Sequence, residues 1–413
     1  MHSIQRLTAE TIPDSRGVPT LETSVVLSDG THASASVPSG TSTGRYEALE
    51  LRDGDPAVAG GKGVTRAMAN VNGELAAALK GQPADLPTID AQLVALDGTP
   101  NKHRLGANAL LSVSLALSRA LSQSVGQPLY AYLAHVYGRK LPTGLPRPLV
   151  NVFEGGRHAD TALSVQEFHI IPQADSTRQQ MDEVRRAFDT LGTVLQERGL
   201  RVQSGMEGTY TAPLRSHEEV FAVIEEAIGR TQIAASLGID AAASEFYGPH
   251  DNLYHLSPEG TTLNAEQLCR IYQSWISRFP LKLVEDPLNQ DDWDGWGIAS
   301  HLLSGSVAVI GDDFLTTNPT RIREAFSREL RIGVLLKPNQ IGTVTETVQA
   351  RELADEHQAS TVMSNRSGET LDSFIADFAV ALGVTYLKAG GPYAPERVAK
   401  YDRLVAIAEE LHG

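Results

Sequence analysis

Short apolar segments that run straight into a charged or amide residue recur through the last two-thirds of the chain. Each is about the length of a buried strand, and the six runs cover residues 237–240, 283–285, 309–312, 334–337, 361–366 and 386–388. In a parallel (β/α)8 barrel the strands read as apolar runs, and the residues that end them face one shared mouth. The pattern therefore predicts a catalytic barrel with its chemistry at these strand ends.

Two further apolar runs, 149–153 and 167–172, raise the number of predicted strands to eight, which is a number that closes a barrel. Amphipathic segments such as 216–231 and 264–279 lie between the strands and predict outer helices. A doubly wound sheet gives the same alternation of strands and helices, so this pattern alone leaves both architectures open.

The first third of the chain has a different pattern. Residues 21–27 alternate between apolar and polar side chains and run into Ser28-Asp29-Gly30, which is typical of a strand entering a hairpin turn. Residues 64–79 and 107–125 are rich in Ala and Leu with helical spacing. These features predict a small α+β domain.

A segment rich in Pro and Gly, residues 138–148, suits a connection between two domains. We therefore predict an N-terminal domain over residues 1–138 and a barrel domain over residues 139–413. The predicted fold class is α/β, with an α+β domain capping a barrel.

Composition excludes several classes of partner. The chain has 413 residues, a formal net charge of −15 and a sequence pI near 5.3, so its average surface would repel nucleic acids and anionic membranes. The single cysteine, Cys269, has no partner for an intrachain disulfide, and the first residues lack the apolar core of a signal peptide. These features predict a cytoplasmic protein, and small anionic substrates remain open to it where cations cluster locally.

Motifs spread in collinear order over essentially the whole chain closely resemble those of the enolase family. They are Asp-Ser-Arg-Gly at 14–17, Val-Pro-Ser-Gly-Thr-Ser-Thr-Gly at 37–44, Leu-Arg-Asp-Gly-Asp at 51–55, Asp-Gly-Thr-Pro-Asn-Lys at 97–102, Ala-Ala-Ser-Glu-Phe at 242–246, Glu-Asp-Pro at 285–287, Lys-Pro-Asn-Gln-Ile-Gly-Thr at 337–343 and Arg-Ser-Gly-Glu-Thr at 366–370. The resemblance implies an enolase-type TIM-like barrel, a small phosphorylated carboxylate substrate and a homodimer or higher homo-oligomer.

The resemblance also implies a metal site of two Mg²⁺ ions. Asp240, Glu285 and Asp312 match the carboxylates that hold the first ion, a ligand set suited to a hard cation. Ser42 matches the serine of a mobile lid that reaches the second ion, which binds with substrate.

Catalytic roles follow from the same resemblance. Lys337 matches the general base that removes the α proton, and we expect nearby Mg²⁺ and Lys388 to lower its pKa. Lys388 matches the cation that pairs with the substrate carboxylate. Glu207 matches the general acid and Glu167 the carboxylate beside it; two adjacent acids push one pKa upward.

Three further residues are implied in substrate binding: His158 on a closing loop, and Arg366 and Ser367 at the phosphate. The fourth substrate-binding position departs from the family, because enolases carry a histidine where this chain has Asn365. An amide donates hydrogen bonds, but it neither carries charge nor moves protons.

Other departures also fall near the mouth. Residues 206–209 read Met-Glu-Gly-Thr where the family has Asp-Glu-Gly-Gly, with an apparent one-residue insertion after them, and Glu154 and Thr161 each stand where an asparagine is usual. The implied metal ligands and lysines are unchanged.

Three functions fit these features. The leading hypothesis is a specialised paralogue of the carboxyphosphonoenolpyruvate synthase type, which acts in phosphonate or phosphinate natural-product biosynthesis and would use a nucleotide-activated phosphonoformate. The alternative is phosphopyruvate hydratase, which interconverts 2-phosphoglycerate and phosphoenolpyruvate. A non-catalytic scaffold is the third, and the intact lysines and carboxylates argue against it.

Overall fold

The computed structural model describes residues 2–41 and 44–412. Its N-terminal part is a three-stranded antiparallel sheet packed against helices. The elements are β1 (Ile4–Pro13), β2 (Pro19–Leu27), β3 (His32–Ser36), α1 (Thr65–Asn70), α2 (Ala76–Leu79), α3 (Leu86–Asp97), α4 (Ala107–Ser124) and α5 (Leu129–Val136). A π-helical turn, Val71–Leu75, joins α1 to α2. The predicted hairpin is confirmed, since β2 and β3 pair antiparallel from Val26 and His32 onward.

Eight strands close the barrel of the second part, with β16 pairing back to β4. Those eight are β4 (Arg147–Glu154), β5 (Glu167–Pro172), β8 (Ala235–Asp240), β12 (Leu281–Glu285), β13 (Ala308–Gly311), β14 (Gly333–Leu336), β15 (Thr361–Ser364) and β16 (Tyr386–Lys388). The remaining short strands are β6 (Gln203–Ser204), β7 (Tyr210–Thr211), β9 (Tyr247–Gly248), β10 (Leu253–Leu256) and β11 (Thr261–Leu263). The prediction of an N-terminal α+β domain followed by a barrel is confirmed.

Helices cover the outside of the barrel. They are α6 (Thr177–Glu197), α7 (His217–Thr231), α8 (Ala265–Arg278), α9 (Trp293–Leu303), α10 (Pro319–Ser327), α11 (Pro338–Ile341), α12 (Val344–Glu356), α13 (Phe374–Leu382) and α14 (Pro395–His412). The two predicted outer helices begin where their caps require: the Ser216 side chain caps α7, and Asn264 forms a capping box with Gln267 at α8. Among the described residues, no helix combines the length and apolarity needed to cross a bilayer.

The expectation of a fully parallel barrel is wrong for one strand. β5 follows β4 through a hairpin-like connection and runs antiparallel to both of its neighbours, β4 and β8. As a consequence, the first residue of β5, Glu167, lies beside Glu154 and Asp240, the last residues of the adjacent strands. The reversal therefore brings an additional carboxylate to the mouth.

Apolar side chains fill the barrel interior away from the mouth. They are Leu149, Ile171, Leu283, Ile310, Leu335 and Val362, each at most 3% exposed. At the other end, the N-terminal domain contacts the barrel rim: Ser39 and Gly368 exchange two backbone hydrogen bonds of 2.8 and 2.9 Å. The mouth is thus closed by apolar packing below and bordered by the small domain above.

Candidate active site

Three of the predicted metal ligands end neighbouring strands of the barrel. Asp240 is the last residue of β8, Glu285 is the last residue of β12, and Asp312 directly follows β13. Strand register places Glu285 opposite Asp240. Because parallel strands bring their carboxyl ends to one edge, these three carboxylates share the mouth. Ser42, the predicted ligand of the second ion, lies outside the described residues.

Both predicted lysines lie directly on these carboxylates. The Lys388 ammonium is 2.8 Å from Glu285, 3.1 Å from Asp240 and 3.0 Å from Glu167. Lys337 donates to Oδ2 of Asp312 at 2.5 Å. The structure brings all five side chains together, but the ammonium groups contact the carboxylates instead of standing opposite them. In this arrangement the lysines supply the positive charge that the buried acids need.

The contact with Asp312 changes the acid–base behaviour expected of Lys337. Burial by itself would lower the pKa of this lysine, but the Asp312 carboxylate outweighs burial and raises it. Lys388 lowers the pKa of Lys337 as expected but does not outweigh Asp312, and the further lowering expected from nearby Mg²⁺ stays a prediction. The same pairing, working against burial, holds the pKa of Asp312 below its usual value.

Two more carboxylates, Asp286 and Asp313, adjoin this group, and neither was assigned from the sequence. Asp286 accepts hydrogen bonds of 2.8 Å from the backbone N–H groups of Asp312 and Asp313, so it fixes the loop that carries Asp312. One carboxylate oxygen from each of these three residues lies within 4.8 Å of the others. Both missed residues directly follow predicted ligands in sequence, and that repetition of acidic residues was the available signal.

The buried carboxylates of this part of the mouth outnumber the two lysines, Lys337 and Lys388, that can neutralise them. Burial, with repulsion from nearby carboxylates, raises the pKa of Glu285 and Asp286 well above the usual range and that of Asp313 to about 8. A divalent cation would offset both the cost of burying these carboxylates and the repulsion between them. Oxygen-only ligands are those that Mg²⁺ prefers. The residues present therefore fit the implied metal.

A second group of ionisable side chains forms the other wall of the mouth. Glu167 contacts His169 Nε2 at 2.9 Å and His158 Nδ1 at 3.3 Å, in addition to Lys388. Although burial disfavours its charge, Lys388 and the two histidines hold the pKa of Glu167 well below its usual value. Glu167 is thus an ionised hydrogen-bond acceptor.

Glu207 lies in the loop between β6 and β7. In contrast to Glu167, its environment favours the protonated form. Oε1 accepts a 2.9 Å hydrogen bond from Nδ2 of Asn365 and lies 3.6 Å from Arg397. Oε2 is buried without a hydrogen-bond partner among the described residues. Burial is the main cause that raises the pKa of Glu207 to about 7, and repulsion from Glu167 adds to it. The pKa values of Glu167 and Glu207 are thus shifted in opposite directions. Burial contributes more to the rise at Glu207 than repulsion from Glu167 does.

This shift predicts a pH-dependent stability. Between the unfolded pKa, 4.5, and the folded value of about 7, the native state holds a proton at Glu207 that the unfolded state has lost, so stability falls as pH rises through this interval. Glu207→Gln, which is neutral at every pH, should remove up to about 3 kcal/mol of that decline. Chemical denaturation at about pH 5 and pH 8 measures it; an equal decline in the variant would contradict the assignment. Glu197→Gln, at an exposed glutamate of α6, is the control.

The predicted phosphate end is formed by the segment after β15. Arg366 is 4% exposed and bonds Glu47 of the N-terminal domain at 2.7 Å. Ser367 Oγ bonds the Thr41 hydroxyl at 2.8 Å, and Arg16 reaches both Ser367 and Thr41. The small domain thus completes this end of the mouth. Glu47 was not foreseen, because nothing in the local sequence links it to Arg366.

Arg397, in α14, joins the two ends of the mouth. It is fully buried and donates to the backbone carbonyls of Arg366 at 2.5 Å and Ser367 at 2.6 Å, while its guanidinium also approaches Glu207. One planar cation with several donors can make these contacts at once. No sequence motif indicated this role.

One cavity is lined by most of the predicted site residues. Its lining includes the predicted residues His158, Glu167, Glu207, Asp240, Asp312, Lys337, Asn365, Arg366, Ser367 and Lys388. Glu285 is fully buried behind Lys388. Carboxylates, two lysines and Arg366 thus line one cavity, where electrostatic interactions are strong because little water screens them.

Comparison with known proteins gives a consistent result over the whole chain. The family model described as the enolase N-terminal domain matches residues 4–133, and that described as the enolase C-terminal TIM barrel domain matches residues 142–413. Curated relatives named Enolase are 44% identical in Kineococcus radiotolerans, 41% in Elusimicrobium minutum and 42% in Nitratiruptor sp.. These alignments cover 99–100% of this chain and 95–97% of each relative.

Proposed function

Since this chain belongs to the enolase family and is a lyase of the enolase superfamily, we propose that it is a Mg²⁺-dependent phosphopyruvate hydratase that interconverts 2-phosphoglycerate and phosphoenolpyruvate. The observation that carries the proposal is the placement of an amine, Lys337, and a protonatable acid, Glu207, on the walls of one buried mouth. Elimination of water needs a base at the α carbon and an acid at the leaving hydroxyl.

In the proposed reaction, Lys337 takes the α proton of 2-phosphoglycerate. Glu207 gives its proton to the hydroxyl on the next carbon, which leaves as water, and the electrons of the broken C–H bond form the new double bond. Oε2 of Glu207 suits this donation, because no described residue competes for it and its pKa of about 7 keeps a proton available near neutrality. Arg366, Ser367 and His158 are the proposed contacts for the substrate.

Metal would be held by Asp240, Glu285 and Asp312. When bound, Mg²⁺ supplies positive charge that stabilises the negative charge developing on the substrate carboxylate. Lys337 needs release from its ion pair before it can accept a proton, because a base must be uncharged at the start. Lys388, which contacts two of these carboxylates, is the proposed partner of the substrate carboxylate.

A direct assay tests the hydratase proposal. Purified protein with Mg²⁺ and 2-phosphoglycerate should form an enol that absorbs in the ultraviolet, and Glu207→Gln should lower the rate about 10²-fold or more, since it removes the proton donor. Absence of any enol from the wild-type chain in the presence of Mg²⁺ would refute this function.

A second function, carboxyphosphonoenolpyruvate synthesis, is favoured by one specific observation. Asn365 stands where the family has a histidine, and its amide is committed to Glu207. A neutral side chain at this position alters the charge offered to the phosphate end of a ligand. Phosphorus NMR of phosphoenolpyruvate or 2-phosphoglycerate with a cytidylyl-activated phosphonoformate tests it: a new product containing a C–P bond is expected, and its absence would eliminate the synthase.

Asn365→His discriminates between the two functions. If the chain is a hydratase working with an imperfect side chain, restoring a group that can carry charge should raise kcat/KM for 2-phosphoglycerate by up to about 100-fold. Asn365→Ala, which removes the bond to Glu207 without adding a ring, should lower it. Steady-state kinetics of both variants provide the test, and equal effects of histidine and alanine would contradict a charge-based role.

A further inference from the structure

Glu154 is a buried carboxylate that the proposed reaction does not use. It ends β4 and is 0% exposed, and the motif resemblance places it where an asparagine is usual. Its oxygens accept from Asn151 Nδ2 at 3.2 Å, from the backbone N–H of Glu207 at 3.2 Å and from the Thr209 hydroxyl at 2.8 Å. All three groups donate to it, which suits an ionised carboxylate because that group only accepts.

The chain segment that carries the proposed general acid is folded around this carboxylate. Gly205 is so close that a β carbon added there would lie 1.8 Å from Oε2 of Glu154. The segment closes on itself through the 2.9 Å hydrogen bond from Gly205 N–H to the Thr209 carbonyl. Gly205, Glu207 and Thr209 therefore all lie against one side chain, which fixes where Glu207 enters the mouth.

Glu154 also faces the imidazole of His158. Nδ1 of His158 lies 3.4 Å from Oε1 of Glu154 and 3.3 Å from Oε1 of Glu167. The charged groups around this ring are thus Glu154 from β4, Glu167 from β5 and Glu207 from the β6–β7 loop. Burial disfavours the charged ring, but the two contacting carboxylates raise the pKa of His158 to about 10.

We propose that Glu154 is a positioning residue: its carboxylate anchors the segment 205–209 and clamps the His158 ring at the mouth. An asparagine at this position is one methylene shorter and uncharged, so it would supply neither the reach to Thr209 nor the second anion beside His158. This inference rests on the proposed hydratase function for its kinetic consequences, whereas its structural consequences can be measured without substrate.

Two variants separate the effect of the Glu154 charge from the effect of its side-chain length. Glu154→Gln keeps the length and an acceptor oxygen for the Glu207 N–H, and the Thr209 hydroxyl can reverse its role to accept from the new amide. Glu154→Asn shortens the side chain as well. Asp90→Asn is the matched control, because Asp90 is a carboxylate 1% exposed in the N-terminal domain that accepts from Thr345.

The primary measurement is the NMR titration of the His158 ring in the full chain, assigned among the 12 histidines with a His158→Gln variant. We expect Glu154→Gln to lower the pKa of His158 by about one unit or more, and Asp90→Asn to leave it unchanged. We also expect both Glu154 variants to lower kcat for 2-phosphoglycerate about tenfold, more than they raise KM, because Glu207 acts in the transition state.

The outcomes are distinct. A pKa of His158 that stays within about 0.3 unit of wild type in Glu154→Gln overturns the proposal, even if the variant is less active. A fall in that pKa with kcat unchanged overturns the anchoring of Glu207. If the wild-type chain forms no enol at all, the hydratase function fails, and the titration alone decides whether Glu154 clamps His158.

Discussion

Lys337→Ala should lower the exchange of the α proton of 2-phosphoglycerate with solvent by about 10⁴-fold, because alanine has no group to accept that proton. The Lys337 amine lies at the mouth directly after β14, and its only contact with a carboxylate in the described structure is with Asp312. Proton exchange measured in deuterated water isolates this step from loss of the hydroxyl. The experiment therefore examines the base independently of Glu207.

Lys282→Ala is the control for that experiment. Lys282 lies on β12 but is exposed, so its removal changes the net charge equally without altering the mouth. The control should exchange at the wild-type rate, and both variants should unfold cooperatively on heating. Exchange that survives in Lys337→Ala would rule out Lys337 as the base.

Asp312→Ala should abolish the stabilisation that Mg²⁺ gives to the wild-type chain. At a Mg²⁺ concentration of about 100 times Kd, binding adds about 2.7 kcal/mol to the free energy of unfolding. Asp312 contributes a carboxylate that is 6% exposed and lies next to Asp286 and Asp313. The measurement is the difference in Tm of the same variant with and without Mg²⁺. The destabilisation caused by losing the Lys337 ion pair is present in both conditions and therefore cancels.

An exposed carboxylate provides the comparison. Asp294, in the first turn of α9, lies on the surface, and Asp294→Ala should retain the full Mg²⁺-dependent rise in Tm. The same rise in Asp312→Ala would remove this residue from the metal site. A partial rise would mean that Asp240 and Glu285 hold the ion without it, which contradicts an obligatory role for Asp312.

Both predictions depend on the pairing of the two lysines with buried carboxylates. Lys388 bridges Asp240, Glu285 and Glu167, and Lys337 is paired with Asp312. Breaking such a buried pair by removing one member leaves an uncompensated charge, which is costly. We therefore expect the chain to remain folded when Mg²⁺ is removed, because Lys337 and Lys388 can still pair with the carboxylates, but to be unable to start proton transfer without the ion.

Local sequence pattern was sufficient to identify the order of the barrel strands along the chain and the residue types at their ends. Buried strands must be apolar and the mouth must be polar, so the ends of β8, β12 and β16 could be identified from local pattern alone. Motif resemblance then identified the family and a set of candidate residues, and the family models and relatives confirmed the family. The roles of individual residues remain predictions.

Which of these groups contact one another became visible only in the folded chain. The reversal of β5 follows from chain connectivity and sheet pairing, and it moved Glu167 to the mouth although it begins its strand. The contacts of Arg397 with Glu207 and of Glu47 with Arg366 join segments that are remote in sequence, and a one-dimensional pattern carries no information about such pairs. The direction of each pKa shift likewise depended on burial and on neighbouring charges, which exist only once the chain has folded.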